Sequence, residues 1–471
     1  MWVLYSERPL TTEELCHAMG VELGSTNIDH ENIPALRILL ASSLGLVTIE
    51  ASSSTFRLVH FTLQEHLLSD RTLFHSSHST IAEVCLSYLN CQCVRDLSPT
   101  LYLAPTSMPL LEYASYYWGE HTRKGMTENV KVLALRLLNR FDEHISAQLL
   151  SLVHDRGRKL ISPEFHAEKG PIGFTGLHGA AFLGIVEIFA AVLEMKEWNV
   201  NARDNASCTP LLWAVIRGHE GVVKLLLERG DVDPDLADGR WNDTPLNWAV
   251  QLGHLGVVKV FFERENVNPN QENSVYSQTA LYHAAAYGQK GIVKMMLERE
   301  DINPNQIPPG YSSTPLSIAA FWEYEGVVKM LLERHDINPN IANTDDGRTP
   351  LSNAASLGHE AVVKMLLDRN DIRIDIRDKR NQTALSLALS QRRYKIAKMI
   401  SEGAASKFDT ADPGDQESLP SSARDCEESV AGVGLGDNYS GAGAAGPGRE
   451  PTSPPAGPMR QKGIKRRRFC F

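Results

Sequence analysis

From Thr209 onward the apolar positions fall into a block that repeats. Leu211, Ala214 and Val215 form a narrow apolar face on a first short helix, and Gly218 stops it. Val222, Val223, Leu226 and Leu227 then recur at helical spacing, predicting a second helix packed back on the first. Threonine and proline open the first helix, because a hydroxyl caps orphan amides and proline is tolerated at the first helical position. The Thr-Pro-Leu opening returns at Thr244 and Thr314, with Thr-Ala-Leu at Thr279, so the threonines stand 35 residues apart as far as Thr349. Units offset by 34 residues lie on either side, at Thr175 and Thr383. The second helices carry Gly-Val-Val-Lys-type runs, from Gly221, Gly256, Gly291 and Gly326. Asp-Pro-Asp or Asn-Pro-Asn follows and turns the chain into a loop. Seven such units between about residues 171 and 404 predict a solenoid. One helix pair is too small to bury its own apolar face; a stack of them shares a continuous core.

Three features of these units resemble the ankyrin repeat: Thr209-Pro210-Leu211, the Gly-His pairs at Gly218, Gly253 and Gly358, and the Val-Val-x-x-Leu-Leu runs. The ending Asp301-Ile302-Asn303-Pro304-Asn305 is similar to that of ankyrin arrays in fungal proteins. The resemblance implies a protein or peptide partner on a concave face, met at the finger position three before each threonine and at the two helix positions before each glycine. Those positions hold Trp241, Tyr276 and Tyr311 on the fingers, and Ile216, Leu252, Tyr287, Phe321 and Trp322 on the helices. Aromatics are favoured interface anchors, and an apolar band rimmed by polar residues marks a binding site. The competing expectation is that these rings pack against neighbouring fingers, where Asn242, Ser277 and Ser312 replace the usual glycine. His219, His254 and His359 fall where the family bonds backbone between units. Glu323-Tyr324 replaces Gly-His in unit five, which predicts a different helix turn there. Polar Gln391 to Lys395 suits a capping unit, and Gly176 with Ile185-Val186 an internal start docked on the preceding helices.

Ahead of the repeats, Thr11-Thr12-Glu13-Glu14 predicts a capped helix start, Ile33–Leu44 a second helix, and Leu46–Ile49 with Thr55–His60 a hairpin, followed by helix again over Thr62–Leu68. Helix, helix, hairpin is a winged-helix pattern. Arg8-Pro9-Leu10-Thr11, Gly45-Leu46-Val47 and Val59-His60-Phe61-Thr62 resemble the winged-helix part of fungal NACHT-type (NOD-like, STAND) signalling ATPases. Leu110 to Ala114 and Tyr117-Trp118 extend the resemblance into a helical linker, to about Asp155. In that family the position of His60 can sense nucleotide phosphates. No Gly-x-x-x-x-Gly-Lys-Ser/Thr loop exists in the chain, so nothing cradles phosphates and no ATP hydrolysis is expected. The expectation is a remnant, a split gene product or a truncated gene model, with modules at 1–75 (winged helix), 76–165 (helical linker), 171–404 (repeats) and 405–471 (disordered tail).

Charge and composition narrow the function further. A net charge of -10 and pI near 5.9 argue against a general nucleic-acid or membrane-surface binder, and Ile33–Leu44 carries only Arg37 as a base. Seven irregularly spaced cysteines give no disulfide framework and point to a reducing, cytoplasmic setting. No apolar run reaches the ~18 residues of a membrane span. His75, His78, Cys91 and Cys93 invite a zinc reading, but Cys91 and Cys93 are too close for the usual spacing and the segment reads as amphipathic helix. No catalytic constellation stands out; neither enzyme activity nor a cofactor is expected. Lys224–Glu228, Lys259–Glu263 and Lys294–Glu298 offer pairs four residues apart on a solvated face. From about Ser406 the composition predicts disorder, ending in Lys465, Arg466, Arg467 and Arg468, either a nuclear-import signal or a solvated tail.

Overall fold

A computed structural model describes residues 1–69, 76–99, 101, 103–150, 173–239, 242–264, 267–271, 278–307 and 313–408. It is mainly helical, and its second half is a solenoid of helix pairs. The pairs are Gly176–Leu183 with Val186–Met195, Pro210–Ile216 with Glu220–Leu227, Pro245–Leu252 with Leu255–Phe262, and Ala280–Ala286 with Lys290–Leu297. Pro315–Phe321 with Glu325–Glu333, Pro350–Leu357 with Glu360–Leu367, and Ala384–Ser390 with Tyr394–Phe408 complete the series. First helices pack on first helices along the whole stack, and second helices on second helices as far as Glu360–Leu367.

Each element follows from its residues. The hydroxyls of Thr209, Thr244, Thr279, Thr314 and Thr349 accept the N–H three residues on, at 3.1–3.3 Å, and so start the first helices. Gly184, Gly218, Gly253, Gly288 and Gly358 end them in the left-handed region, where a side chain is penalised. Unit five departs from expectation: its turn is the same as the others, because Glu323 adopts φ 61°, and Arg392 does likewise at φ 58° in unit seven. The second helices bury their paired valines completely (Val222-Val223, Val257-Val258, Val327-Val328, Val362-Val363). Each such side chain contributes about 1.5–3 kcal/mol.

Polar ladders join the units. His219 Nε2 lies 2.9 Å from the Phe182 carbonyl, His254 Nε2 3.3 Å from that of Ile216, and His359 Nε2 3.1 Å from that of Phe321. On the loop side, Asn270, Asn305 and Asn340 each donate to the carbonyl of an aspartate in the next unit, at 2.6–2.7 Å. Each also accepts an N–H two residues beyond that aspartate. Arg334 and Arg369 fork onto Asp336 and Asp371 while donating to the last carbonyls of the preceding second helix, both at 2.8 Å. The Lys-Glu pairs four residues apart do not close among the described residues; Lys395 of the last unit pairs instead with Glu360 of the unit before it.

The N-terminal module is a small winged-helix-like fold. Thr11 Oγ1 accepts the Glu14 N–H and Glu14 accepts the Thr11 N–H, a reciprocal cap that starts Thr12–Gly20. The second helix is shorter than predicted, Leu36–Ser42 after a 3-10 turn at His30–Asn32, because Pro34 holds Ile33 extended. Val47–Glu50 pairs antiparallel with Thr55–Leu58, and the Phe56 N–H donates to the Leu10 carbonyl at 3.1 Å, adding a short third edge. Beyond it, Ser77–Asn90, Leu111–Lys124 and Glu128–Leu138 pack around fully buried Tyr88, Tyr113, Trp118 and Phe141.

This helical group docks directly on unit one. A Cβ on Gly176 would lie 1.8 Å from the Leu138 carbonyl oxygen, and one on Gly179 2.8 Å from the Phe141 ring. Arg123 donates to the Leu183 carbonyl at 2.5 Å. The glycine where other units carry proline is therefore a close approach of backbones. Residues 409–471, including Lys465 to Arg468, lie outside the described residues, and no helix among the described residues is long and apolar enough to cross a membrane.

Candidate partner-binding surface

The ends of the first helices present the apolar positions before each turn. Tyr287 is 48% exposed, Phe321 39% and Leu357 37%, consecutive units offering one apolar group each. Trp322 is half-buried and meets Phe321 edge-to-face, centroids 5.2 Å apart at 83°. Leu252 is half-buried against the core. Ile216 belongs elsewhere: at 3% exposure it is a core residue, and its carbonyl is the acceptor for His254. The finger aromatics Trp241, Tyr276 and Tyr311 lie outside the described residues. The residue after the finger position adopts the left-handed conformation in three described units, Ser207 at φ 59°, Asn242 at φ 52° and Asn381 at φ 63°, so non-glycine residues do take it at these turns.

The finger bases are tied to the helices by contacts that sequence reasoning missed. Asp204 Oδ1 accepts the N–H groups of Ala206 and Cys208, and its Oδ2 accepts from Trp213 Nε1 at 2.8 Å. Trp248 Nε1 repeats this one unit later with Asp238 Oδ2, at 3.1 Å. The recurring signal was an Asp five or six residues before the threonine paired with a tryptophan four residues after it. His283 stacks on Tyr287, centroids 6.5 Å apart at 11°, and burial pushes its pKa down to about 4. A neutral imidazole thus supports the exposed phenol ring.

The other sequence candidates resolve locally. His60 Nδ1 meets Thr62 Oγ1 at 2.7 Å within one exposed turn. Cys91 is buried, donates to the Ser87 carbonyl, and has its thiol pKa pushed up to about 12 by burial. His75 lies outside the described residues.

A family model described as ankyrin repeats (3 copies) matches residues 150–238, 177–273, 246–343 and 316–411. Residues 1–85 match a model described as GPI inositol-deacylase, winged helix domain. Among solved structures, the ankyrin repeat domain of Bcl-3, a unique member of the IkappaB protein family, is 23% identical with a TM-score of 0.43, over 47% of this chain and 97% of its own. The ankyrin repeat protein EF0377 is 27% identical with a TM-score of 0.39, over 44% and 99%. The human ASB11 ankyrin repeat domain is 23% identical with a TM-score of 0.40, over 48% and 96%. The comparison with curated proteins finds no match.

Proposed function

Since the chain belongs to the ankyrin-repeat family, we propose that its stack is a non-catalytic interaction module that holds a protein or peptide partner along its concave face. The observation that carries this reading is the exposed band of Tyr287, Phe321 and Leu357, repeated unit by unit on helices whose other faces are spent on the core. Trp322 adds a ring beside Phe321, and the finger positions three before each threonine carry Trp241, Tyr276 and Tyr311. Rigid rings on a rigid stack lose little entropy on binding, which suits them as anchors. The test is capture of binding proteins by the full chain and by a Tyr287→Ala, Phe321→Ala, Trp322→Ala variant. Loss of the captured partner with an unchanged far-ultraviolet circular dichroism spectrum supports the reading; undiminished capture by the folded variant refutes it.

A second reading is favoured by the winged-helix-like module. Its helices Leu36–Ser42 and Phe61–Ser69 bury no residue, leaving Ile38, Leu44, Leu46, Val59 and Phe61 exposed. In this reading the chain is the regulatory half of a nucleotide-switched NACHT-type ATPase, and this face packs on an NTPase domain. Mixing with a nucleotide-loaded NACHT domain separates the two: binding that Phe61→Asp abolishes supports it, and absence of binding removes it. We place the protein in the cytoplasm, with Lys465–Arg468 as an alternative nuclear signal; deleting residues 465–468 and following location decides between them.

A further inference from the structure

Three ligating side chains from three separate elements converge outside the repeats. Glu7 follows the helix Trp2–Tyr5, His78 sits in the first turn of Ser77–Asn90, and His121 in the last turn of Leu111–Lys124. A carboxylate oxygen of Glu7 and a ring nitrogen of each histidine all lie within 4.8 Å of one another. The two Nδ1 atoms face each other at 2.9 Å, and His121 is fully buried. Its far nitrogen, Nε2, is 2.9 Å from the Tyr113 hydroxyl, which accepts the Glu7 N–H at 3.0 Å. A polar group that holds the far nitrogen is what fixes the orientation of a metal-binding imidazole.

We propose that Glu7, His78 and His121 bind a divalent transition-metal ion of the Zn2+ class, with water completing the coordination. Two imidazoles and a carboxylate suit Zn2+ better than Mg2+ or Ca2+, which take oxygen ligands. Tetrahedral Zn–N bonds of about 2.0–2.1 Å place two nitrogens about 3.3 Å apart, so the imidazoles part by only about 0.4 Å. Lys124, which ion-pairs with Glu7 at 2.5 Å, is half exposed and swings into solvent when the ion arrives. The ion then ties the start of the winged-helix-like module to two helices of the neighbouring group, adding to the Trp2–Tyr113 and Tyr5–His78 ring contacts already there.

The test uses the full chain, stripped with chelator and titrated at pH 7 with Zn2+, and with Co2+ as a spectroscopic substitute. One bound equivalent of Zn2+, a raised melting temperature and an intense visible Co2+ band are expected. Glu7→Gln and His78→Gln, both at accessible positions, weaken Zn2+ binding by more than about 100-fold while the metal-free chain melts as before. Tyr113→Phe weakens it by about 10-fold, the effect of removing an orienting group. Absence of stoichiometric binding overturns the proposal and leaves the two rings as a hydrogen-bonded pair. Binding of unchanged affinity in both glutamine variants overturns it equally, since the ion then sits elsewhere.

Discussion

Gly176→Ala is the substitution that probes most sharply whether the helical group and the repeats share one core. The new methyl carbon would stand 1.8 Å from the Leu138 carbonyl oxygen and 2.8 Å from its carbonyl carbon, so two backbones must separate. Leu138 closes the helix Glu128–Leu138, and its side chain is fully buried. Overpacking of this kind costs about 3 kcal/mol, the upper end of its usual range, and the better helix propensity of alanine returns at most about 1 kcal/mol. The net loss is therefore about 2 kcal/mol, or roughly 2–3 °C in melting temperature for the compact unit Met1–Ile400. Two glycines calibrate it. At Gly179 the obstacle is the Phe141 ring, a side chain that can move, so its alanine variant should lose less. At Gly230 nothing lies within 4 Å, and Gly230→Ala should stay within about 0.5 kcal/mol of the parent. Thermal melts followed by circular dichroism, with hydrogen exchange over residues 130–150, measure all three. If Gly176→Ala melted like Gly230→Ala, with unchanged exchange at Leu138, the docking described here would be refuted.

Asn305→Ala should cost about 1–2 kcal/mol, because it removes the bond to the Asp336 carbonyl at 2.6 Å and strands the Asn338 N–H held at 2.8 Å; urea denaturation checks it. Glu323→Gly should stabilise by about 0.5–1 kcal/mol, since the left-handed conformation costs a side chain more than the exposed contact with His359 at 3.4 Å returns. It would be contradicted by a lowered urea midpoint. Stability should also fall with acid. His178, His219 and His283 have pKa values pushed down to about 4, chiefly by burial. The unfolded chain binds protons that the folded one refuses, so this contribution is complete above about pH 6.5 and is lost as pH falls toward 4. Each histidine accounts for on the order of 3 kcal/mol at the lower limit. Urea midpoints at pH 7, 5.5 and 4.5 should decrease in that order, and His283→Gln should flatten the decline.

Much of the fold was legible because a short period constrains it. Thr209, Gly218 and Val222-Val223 each state a local rule, and its repetition 35 residues later removes the ambiguity of a single instance. The histidines were legible for the same reason. What failed was reasoning that treated a position as independent of its neighbours in space. Ile216 looked like a surface position by register, yet the following unit covers it. Glu323 looked like a broken turn, yet the adjoining units hold the turn's shape and the residue conforms. The Asn-Pro-Asn motif reads as a helix stop; that its second asparagine bridges to the next unit is visible only once the stack is built. Glu7, His78 and His121 are separated by 71 and 43 residues, and no spacing rule brings them together. Register marked Tyr287 and Phe321, which are exposed, while the tryptophan–aspartate ties at the finger bases carried no such mark.

Neighbouring helix pairs supply one another's core. Truncating the chain at successive unit boundaries from Phe408 back toward Thr209 and measuring urea denaturation of each fragment tests that directly. Midpoints should fall with every unit removed, and residues 279–313 alone should show no helical circular dichroism signal. A lone unit that folds and melts cooperatively would contradict the account.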